Sequence, residues 1–478
     1  MSAIPSQNRC VEIATQAKPQ AFSVLEIDLG DFMVDVKVLR AKVKTCINAL
    51  NPQQPIVFGK NELVKNGADE SLYVPSLHGG DKDLVQELSD QIDFDEGGGT
   101  YLFSGNRGTG KTTELMRLSQ LLGKMDCEVF YVNMAEYLNL TKAVEIPDFL
   151  ISVLGAFSEK IEERFGENPG KLGFFDRASN FLKTNVQING FTIPVAGVDL
   201  KMTLLEDPVF KKELQEGMRG HVTNLVKDAR KFVTEAVELV RSKTSADKKI
   251  VLIVDSVEQL RGIGGSNDIA EVFKSAETLF SGHADKLRFS PLHLVYTVPP
   301  YLSALVGSLG ALYSGGKIYM LPSVHVYEGL PKDDTAPIQS EAGLDTMVDV
   351  VKGRFPEWEE FFTRMQLQRL AASSGGDLRD FFRLVKLCIS QALYKQLPLP
   401  EDVFKGAESD LRNDMPLAHD DRDWLRKVVK SHKRELDNID RLPDFARLTE
   451  SKYILNYRNG DDWFDVHPLL RATVVDGA

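Results

Sequence analysis

One nine-residue stretch, Gly105 to Thr113, constrains the fold of this chain more than any other. It reads GNRGTGKTT and matches G-x-x-x-x-G-K-[ST], the P-loop. The glycines of this motif let successive backbone N–H groups turn inward around phosphate oxygens. An apolar run, Tyr101–Phe103, precedes it and a helical pattern, Glu114–Leu122, follows it. The stretch therefore predicts a strand, a phosphate-binding loop and a helix that starts at the phosphates.

The whole loop is a candidate nucleotide-binding site. Lys111 is expected to reach the β- and γ-phosphates, and the hydroxyl of Thr112 is expected to ligate Mg²⁺. The predicted cofactors are therefore ATP and Mg²⁺. The candidate binding residues are Gly105, Asn106, Arg107, Gly108, Thr109, Gly110, Lys111, Thr112 and Thr113.

A second motif, Lys249 to Glu258, reads KIVLIVDSVE. So continuous an apolar run predicts a strand that is buried on both faces, as in a parallel sheet. Asp255 at its end fits a metal-binding carboxylate that holds Mg²⁺ directly or through water. Glu258, three residues further on, is the candidate catalytic residue that polarises the attacking water.

A third buried strand is predicted at Leu292–Pro299, and a fourth at Ile318–Leu321. Thr297 lies near the end of the third strand, where its hydroxyl either contacts the γ-phosphate or the water, or has a structural role. A further strand is predicted at Glu128–Asn133, after the P-loop helix, and a long insertion, residues 140–248, separates it from the second motif. Its Asn189-Gly190 pair predicts a hairpin of two short strands, Asn185–Ile188 and Phe191–Leu200. Its long helical pattern from Asp207 predicts either an interaction surface or a helix packed on the sheet.

The predicted fold class is α/β, with an N-terminal segment (1–79), a P-loop core with a parallel sheet (80–340, including the insertion), a helical lid (341–400) and a winged-helix-like domain (415–478). Within the lid, Ser374–Arg379 opens a helix, and Arg379 on its first turn either reaches the nucleotide or forms a surface salt bridge. The last domain is inferred from two helical patterns followed by a hairpin, Tyr453–Val466.

Composition limits the classes of partner that this chain is expected to bind. A net charge of −12 argues against a chain-wide attraction to nucleic acid or membrane, although a local basic patch is still compatible with nucleic-acid binding. The four cysteines form no C-x-x-C pair, which fits a reducing cytoplasm and argues against a zinc site made by protein alone. The apolar stretch Tyr301–Tyr313 is too short to span a bilayer. The chain is therefore expected to be cytoplasmic, with no membrane partner.

The P-loop, the Asp255 strand, the Thr297 strand and Ser374–Arg379 stand in an order that resembles an AAA+ ATPase. The resemblance is to the initiator-like branch, which carries a helical lid and a winged helix. It implies that Lys111 and Thr112 hold phosphates and Mg²⁺, that Asp255 and Glu258 serve the Walker B element, that Thr297 is sensor 1 and that Arg379 is sensor 2.

The chain departs from the AAA+ pattern in one respect. No arginine occurs between Arg288 and Arg354, where a neighbour's arginine finger is expected, so a ring with strong activation in trans is in doubt. The long insertion also resembles STAND signalling ATPases, which use nucleotide state to control assembly.

We therefore expect an ATPase that is a nucleotide-controlled assembly switch and a homo-oligomer. Its first expected setting is prokaryotic signalling or antiviral defence with a separately encoded protein partner. The alternatives are a DNA-associated initiator, transposition or loading factor, and a scaffold that binds nucleotide without hydrolysing it.

Overall fold

The computed structural model describes residues 29–59, 68–79, 83–186, 193–194, 197–261, 266–331, 336–433 and 441–475. Five parallel strands form the central sheet: β1 (Thr100–Gly105), β2 (Glu128–Asn133), β3 (Ile250–Asp255), β4 (His293–Val298) and β5 (Ile318–Leu321). Their order across the sheet is β2-β3-β4-β1-β5. Every residue of β1, β3 and β4 is buried, as their continuous apolar runs predict.

Helices cover both faces of the sheet. Before and after β1 lie α1 (Leu29–Ala49), α2 (Leu84–Phe94) and α3 (Lys111–Lys124). Alternate strand residues such as Phe103 and Ile253 pack in one apolar cluster with α2 and α3. The intervening residues, such as Leu102 and Leu252, face the other cluster. This alternation places the P-loop at the carboxyl edge of a fully covered sheet.

The insertion supplies the second layer and is helical where the structure describes it. It contains α4 (Ile146–Phe165), α5 (Phe174–Asn185), α6 (Gly197–Glu206), α7 (Pro208–Met218) and α8 (Val222–Lys243). Helix α4 is buried on nearly all sides because it lies between β2 and α8. The long helical pattern is therefore a packing element, and it is divided in two by a turn at residues 219–221.

The second strand predicted for the insertion hairpin is wrong over its last residues. Residues 197–200 begin α6, whose first N–H, that of Gly197, donates to Asp176 Oδ1 at 2.7 Å. Leu200 and Leu204 are buried one turn apart, which is a helical spacing. The Asn189-Gly190 turn itself lies outside the described residues.

The chain then passes through α9 (Ser266–Glu277) and α10 (Leu302–Leu305) into a helical region. That region consists of α11 (Glu341–Arg354), α12 (Arg364–Ser373), α13 (Leu378–Ser390) and α14 (Glu401–Asn413). Helix α14 lies just beyond residue 400, where the sequence predicted the end of the lid. Phe404 and Leu411 on α14 are buried, and α14 packs against α12 and α13 in the same helical region.

We call residues 419–475 the C-terminal module. It contains α15 (His419–Ser431), α16 (Leu442–Glu450), the antiparallel pair β6 (Ile454–Asn459) and β7 (Asp461–Val466), and α17 (Pro468–Val475). The predicted hairpin is present and turns at Gly460, whose φ is +90°. Its winged-helix assignment stays a prediction. Within the described ranges, no helix is long and apolar enough to cross a membrane.

Candidate nucleotide-binding site

The P-loop follows β1 and runs directly into α3. Gly108 and Gly110 have φ values of +98° and +91°, a region that side chains disfavour. A Cβ on Gly108 would also stand 2.4 Å from Asp377 Oδ2 of the lid. Gly110 is the residue before the first turn of α3, so the free N–H groups of that turn and the loop face the same place.

Lys111 is buried and stays close to the loop. Its Nζ donates to the carbonyl oxygens of Gly105 and Asn106, both at 2.9 Å, and lies 3.4 Å from Glu258 Oε1. The loop therefore holds an ammonium group at the N-terminal end of α3, where a phosphate would meet both the ammonium charge and the helix N–H groups.

The predicted metal ligands lie together. Thr112 Oγ1 donates to Asp255 Oδ2 at 2.9 Å, and Tyr131 donates its hydroxyl to the same oxygen at 2.7 Å. Burial raises the pKa of Asp255 to about 6, and the nearby charge of Glu258 acts in the same direction. A hydroxyl beside a carboxylate is the oxygen set that suits Mg²⁺ when phosphates complete the coordination. In the described residues no group of three His, Cys, Asp or Glu side chains forms a metal site by itself.

Glu258 lies on a single 3-10 turn, Val257–Gln259, just beyond β3. The turn is entered through Ser256, whose φ is +72°, and this reversal brings the Glu258 side chain back toward Lys111. Glu258 is buried, and its Oε2 has no hydrogen-bond partner among the described residues. A buried acceptor with a free oxygen beside the phosphate-binding lysine fits a group that accepts a hydrogen bond from water.

Thr297 has partners other than those expected for contact with a phosphate. Its fully buried hydroxyl accepts the Val257 N–H at 3.0 Å and donates to the Val254 carbonyl at 3.4 Å. Thr297 does not line the cavity described next. In this arrangement Thr297 fixes the turn that carries Glu258.

A cavity of about 530 Å³ opens in front of the P-loop. Parts of the chain that are distant in sequence line it, including residues 51–55, the turn after β3, the lid and the C-terminal module. Of the nine predicted loop residues, Asn106 and Thr109 are not among the lining residues. The charged lining residues are six basic and two acidic: Arg107, Lys111, Arg261, Arg354, Arg379, Arg447, Glu258 and Glu450.

Arg379 stands on the first turn of α13, after the N-cap Asp377. It lines the cavity, and its Nε is buried without a hydrogen-bond partner in the part of the chain that the structure describes. An unpartnered guanidinium nitrogen is costly to bury, so this geometry favours the nucleotide role over the surface salt bridge.

The sequence did not predict the contribution of the C-terminal module. Arg447, Glu450 and Ser451, at the end of α16, also line the cavity. Burial raises the pKa of Glu450 to about 8, while the charge of Lys111 lowers it. No local sequence pattern near residue 450 predicts that Glu450 lines the cavity, because its place there depends on packing across most of the chain.

A buried ionic cluster holds the module to the lid. Lys452 Nζ lies 3.0 Å from Asp377 Oδ1 and 2.6 Å from Asp380 Oδ2. The module also touches the P-loop, where Asn106 Nδ2 donates to the Ile454 carbonyl at 3.3 Å. Phosphate loop, lid and module therefore meet at one point.

No protein-family model and no curated protein matches the sequence. Among solved structures, the chain is similar to the Walker-type ATPase of Pyrococcus abyssi at 11% identity, covering 90% of this chain and 99% of that one, with a TM-score of 0.41. It is similar to Cdc6p from Pyrobaculum aerophilum at 13% identity, covering 88% and 98%, with a TM-score of 0.33. It is also similar to Thermotoga maritima RuvB at 13% identity, covering 81% and 92%, with a TM-score of 0.32.

These identities and scores carry no inference about activity. The fold rests on the chain's own geometry: the strand order, the loop between β1 and α3, and the acid at the end of β3. The predicted α/β P-loop fold is confirmed.

Proposed function

We propose that this chain, which has the fold of an AAA+ P-loop ATPase, binds ATP with Mg²⁺ and hydrolyses it. The observation that carries the proposal is the cationic cavity lined by Lys111, Thr112 and Glu258, with the buried Asp255 hydrogen-bonded directly to Thr112. Six basic side chains converge there in a chain whose net charge is −12, so the cavity is suited to a polyanion.

Phosphate binding would use the loop, Lys111 and Arg379. The loop N–H groups and the start of α3 supply oriented partial charges, and Lys111 and Arg379 supply full charges from the sheet side and the lid side. Mg²⁺ would be held by Thr112 and Asp255, and when bound it neutralises charge on the phosphate oxygens. Asp255 is ionised more readily once such a cation offsets its burial.

Glu258 is the group that we assign to the attacking water. Its free Oε2 accepts a hydrogen bond from water, while Oε1 faces Lys111 at 3.4 Å. Thr297 supports this role through the Val257 N–H and not through direct contact with the phosphate.

The switch hypothesis follows from the three parts of the chain that line the cavity, which are the core, the lid and the C-terminal module. A nucleotide that contacts core, lid and module at once has a different affinity for the closed and open arrangements of these parts, and only such a difference shifts their equilibrium. We therefore propose that the presence or absence of the γ-phosphate sets the position of the module and controls self-assembly or partner binding.

The sequence predicts two alternative biological settings, signalling or antiviral defence and a DNA-associated role. The described residues do not favour signalling or antiviral defence with a separate protein partner over a DNA-associated role. Salt-sensitive DNA binding by the full chain would favour the latter, because phosphate contacts release counterions.

Phosphate release and nucleotide affinity test the ATPase proposal directly. Lys111→Ala should weaken ATP binding by roughly 100-fold or more, since it removes charged hydrogen bonds to phosphate. Lys124→Ala, at the exposed end of the same helix, is the matched control and should bind like the wild type. Unchanged ATP affinity in Lys111→Ala would remove the basis of the proposal.

Glu258→Gln tests the water-activating role. It should bind ATP normally but release phosphate about 10²–10⁴-fold more slowly, because the amide cannot accept a proton. Glu271→Gln, an exposed substitution on α9, serves as the control. Wild-type turnover in Glu258→Gln would assign the role to another residue, and a wild type that binds ATP but releases no phosphate would support the scaffold alternative.

A further inference from the structure

Two arginines near the P-loop have no role in the function proposed so far. Arg107 belongs to the loop itself, and Arg261 follows the turn that carries Glu258. Both line the cavity. Neither forms an ion pair with a carboxylate within the ranges that the structure describes.

Arg107 and Arg261 lie on two segments that meet at the cavity, the P-loop and the end of the turn after β3. Burial lowers the pKa of Arg107, and the positive charges of Arg379 and Arg261 lower it further. The carboxylates of Glu450 and Asp377 act in the opposite direction, so acids of the module and the lid offset part of this repulsion.

Glu450 relates these two arginines to the P-loop lysine. Its pKa is raised by burial and lowered by the charges of Lys111, Arg107 and Arg261. Both arginines therefore act on the Glu450 carboxyl group, whose pKa the charge of Lys111 also lowers. Arg107 and Arg261 also line the same cavity as Lys111 and Glu258. Because a P-loop lysine reaches the β- and γ-phosphates, a triphosphate held by Lys111 would lie in the cavity that both arginines line.

The backbone fixes Arg261 in this position. Its N–H donates to the Leu140 carbonyl at 3.0 Å, and Leu260 N–H closes the preceding turn on Val257 O at 3.1 Å. Arg261 thus follows Glu258 by three residues on one anchored segment, and both residues line the cavity.

We infer that Arg261, assisted by Arg107, supplies in cis the charge that an arginine finger from a neighbouring subunit would otherwise supply. This inference rests on the ATPase function proposed above. In the reaction, the water oxygen forms a bond to the γ-phosphorus and gives its proton to Glu258. The bond from the γ-phosphorus to the bridging oxygen breaks, and its electron pair leaves with ADP. Arg261 stabilises the charge on the γ-phosphoryl oxygens.

Arg261→Ala is the test, with Arg230→Ala on the exposed face of α8 as a matched control. Phosphate release per chain should fall by roughly 10² or more in Arg261→Ala, near the lower range of arginine-finger effects, and stay unchanged in Arg230→Ala. Arg261→Lys should recover part of the loss, because it restores charge without the planar fork. Wild-type turnover per chain should not change on dilution.

Wild-type turnover in Arg261→Ala would overturn the inference, as would a per-chain rate that falls steeply on dilution of the wild type. If the wild type releases no phosphate, the ATPase proposal fails separately. The inference is then tested by affinity: Arg261→Ala should lose at least about tenfold more affinity for a non-hydrolysable ATP analogue than for ADP, and an equal loss would overturn it.

Discussion

At the scale of single residues, Thr297 shows how a side chain acts on chemistry without touching the substrate. Thr297→Val keeps the shape but removes the hydroxyl, which leaves the buried Val257 N–H unpaired at a cost of about 1–3 kcal/mol. The Glu258 turn then loses its anchor, and we expect kcat to fall about tenfold or more while affinity for ATP stays within a few-fold. Phosphate release and nucleotide titration measure the two effects.

Thr297→Ser keeps the hydroxyl and should restore turnover. A direct γ-phosphate contact would give a different pattern, in which Thr297→Val loses affinity for a triphosphate but not for a diphosphate. That outcome would reinstate the contact expected from the AAA+ resemblance.

At the scale of structural elements, the P-loop and the start of α13 fit together at Gly108. Gly108→Ala requires a side chain at φ +98° and places a Cβ 2.4 Å from the Asp377 carboxylate, so the loop or the lid helix must move. We expect a lower melting temperature and a loss of nucleotide affinity together, measured by thermal unfolding and ligand titration.

Gly123→Ala is the matched control, since Gly123 lies in α3 with no atom near its Cβ position. Alanine there should raise stability by about 0.5–1 kcal/mol. If Gly108→Ala behaved in the same way, the loop and lid would not be coupled through Asp377.

Elements defined by local pattern were predictable from the sequence, and those defined by packing were not. The strands ending at Asp255 and Val298 were predicted because continuous apolar runs indicate burial on both faces. The partners of Thr297 could not be read from such a run, since both faces of the strand are apolar. The Asn189-Gly190 signal predicted a second strand, yet buried Leu200 and Leu204 make residues 197–206 a helix.

The residues of the candidate site follow the same rule: those in a local motif were predictable from the sequence, and those placed by packing were not. Lys111, Thr112, Asp255 and Glu258 were predicted, because the motifs that follow β1 and β3, two strands separated only by β4, meet at the carboxyl edge of a parallel sheet. Glu450 and Arg447 were missed, since they reach the cavity only after the module folds back over the core.

At the scale of the whole molecule, the buried Lys452 cluster is one of the contacts that hold the module to the lid, beside the hydrogen bond from Tyr457 to the Gly375 carbonyl. Lys452→Met leaves the carboxylates of Asp377 and Asp380 buried without their cation, which costs about 3–5 kcal/mol. We expect the module to separate from the lid, with a larger radius of gyration by small-angle scattering and faster proteolysis in residues 414–418. Lys395→Met, which removes an exposed ion pair with Asp402, should change neither measurement.

The same variant tests the switch hypothesis, because an open module should mimic the nucleotide state that releases it. If module position controls assembly, Lys452→Met should change molecular mass without nucleotide, whereas the wild type should do so only between ADP and a non-hydrolysable ATP analogue. Adding Asp377→Asn and Asp380→Asn removes the unpaired charges and should return the protein toward the closed, wild-type behaviour. If Lys452→Met opens the module but the molecular mass of the protein never differs from that of the wild type, the position of the module does not control assembly. The cavity would then be an ATPase site alone.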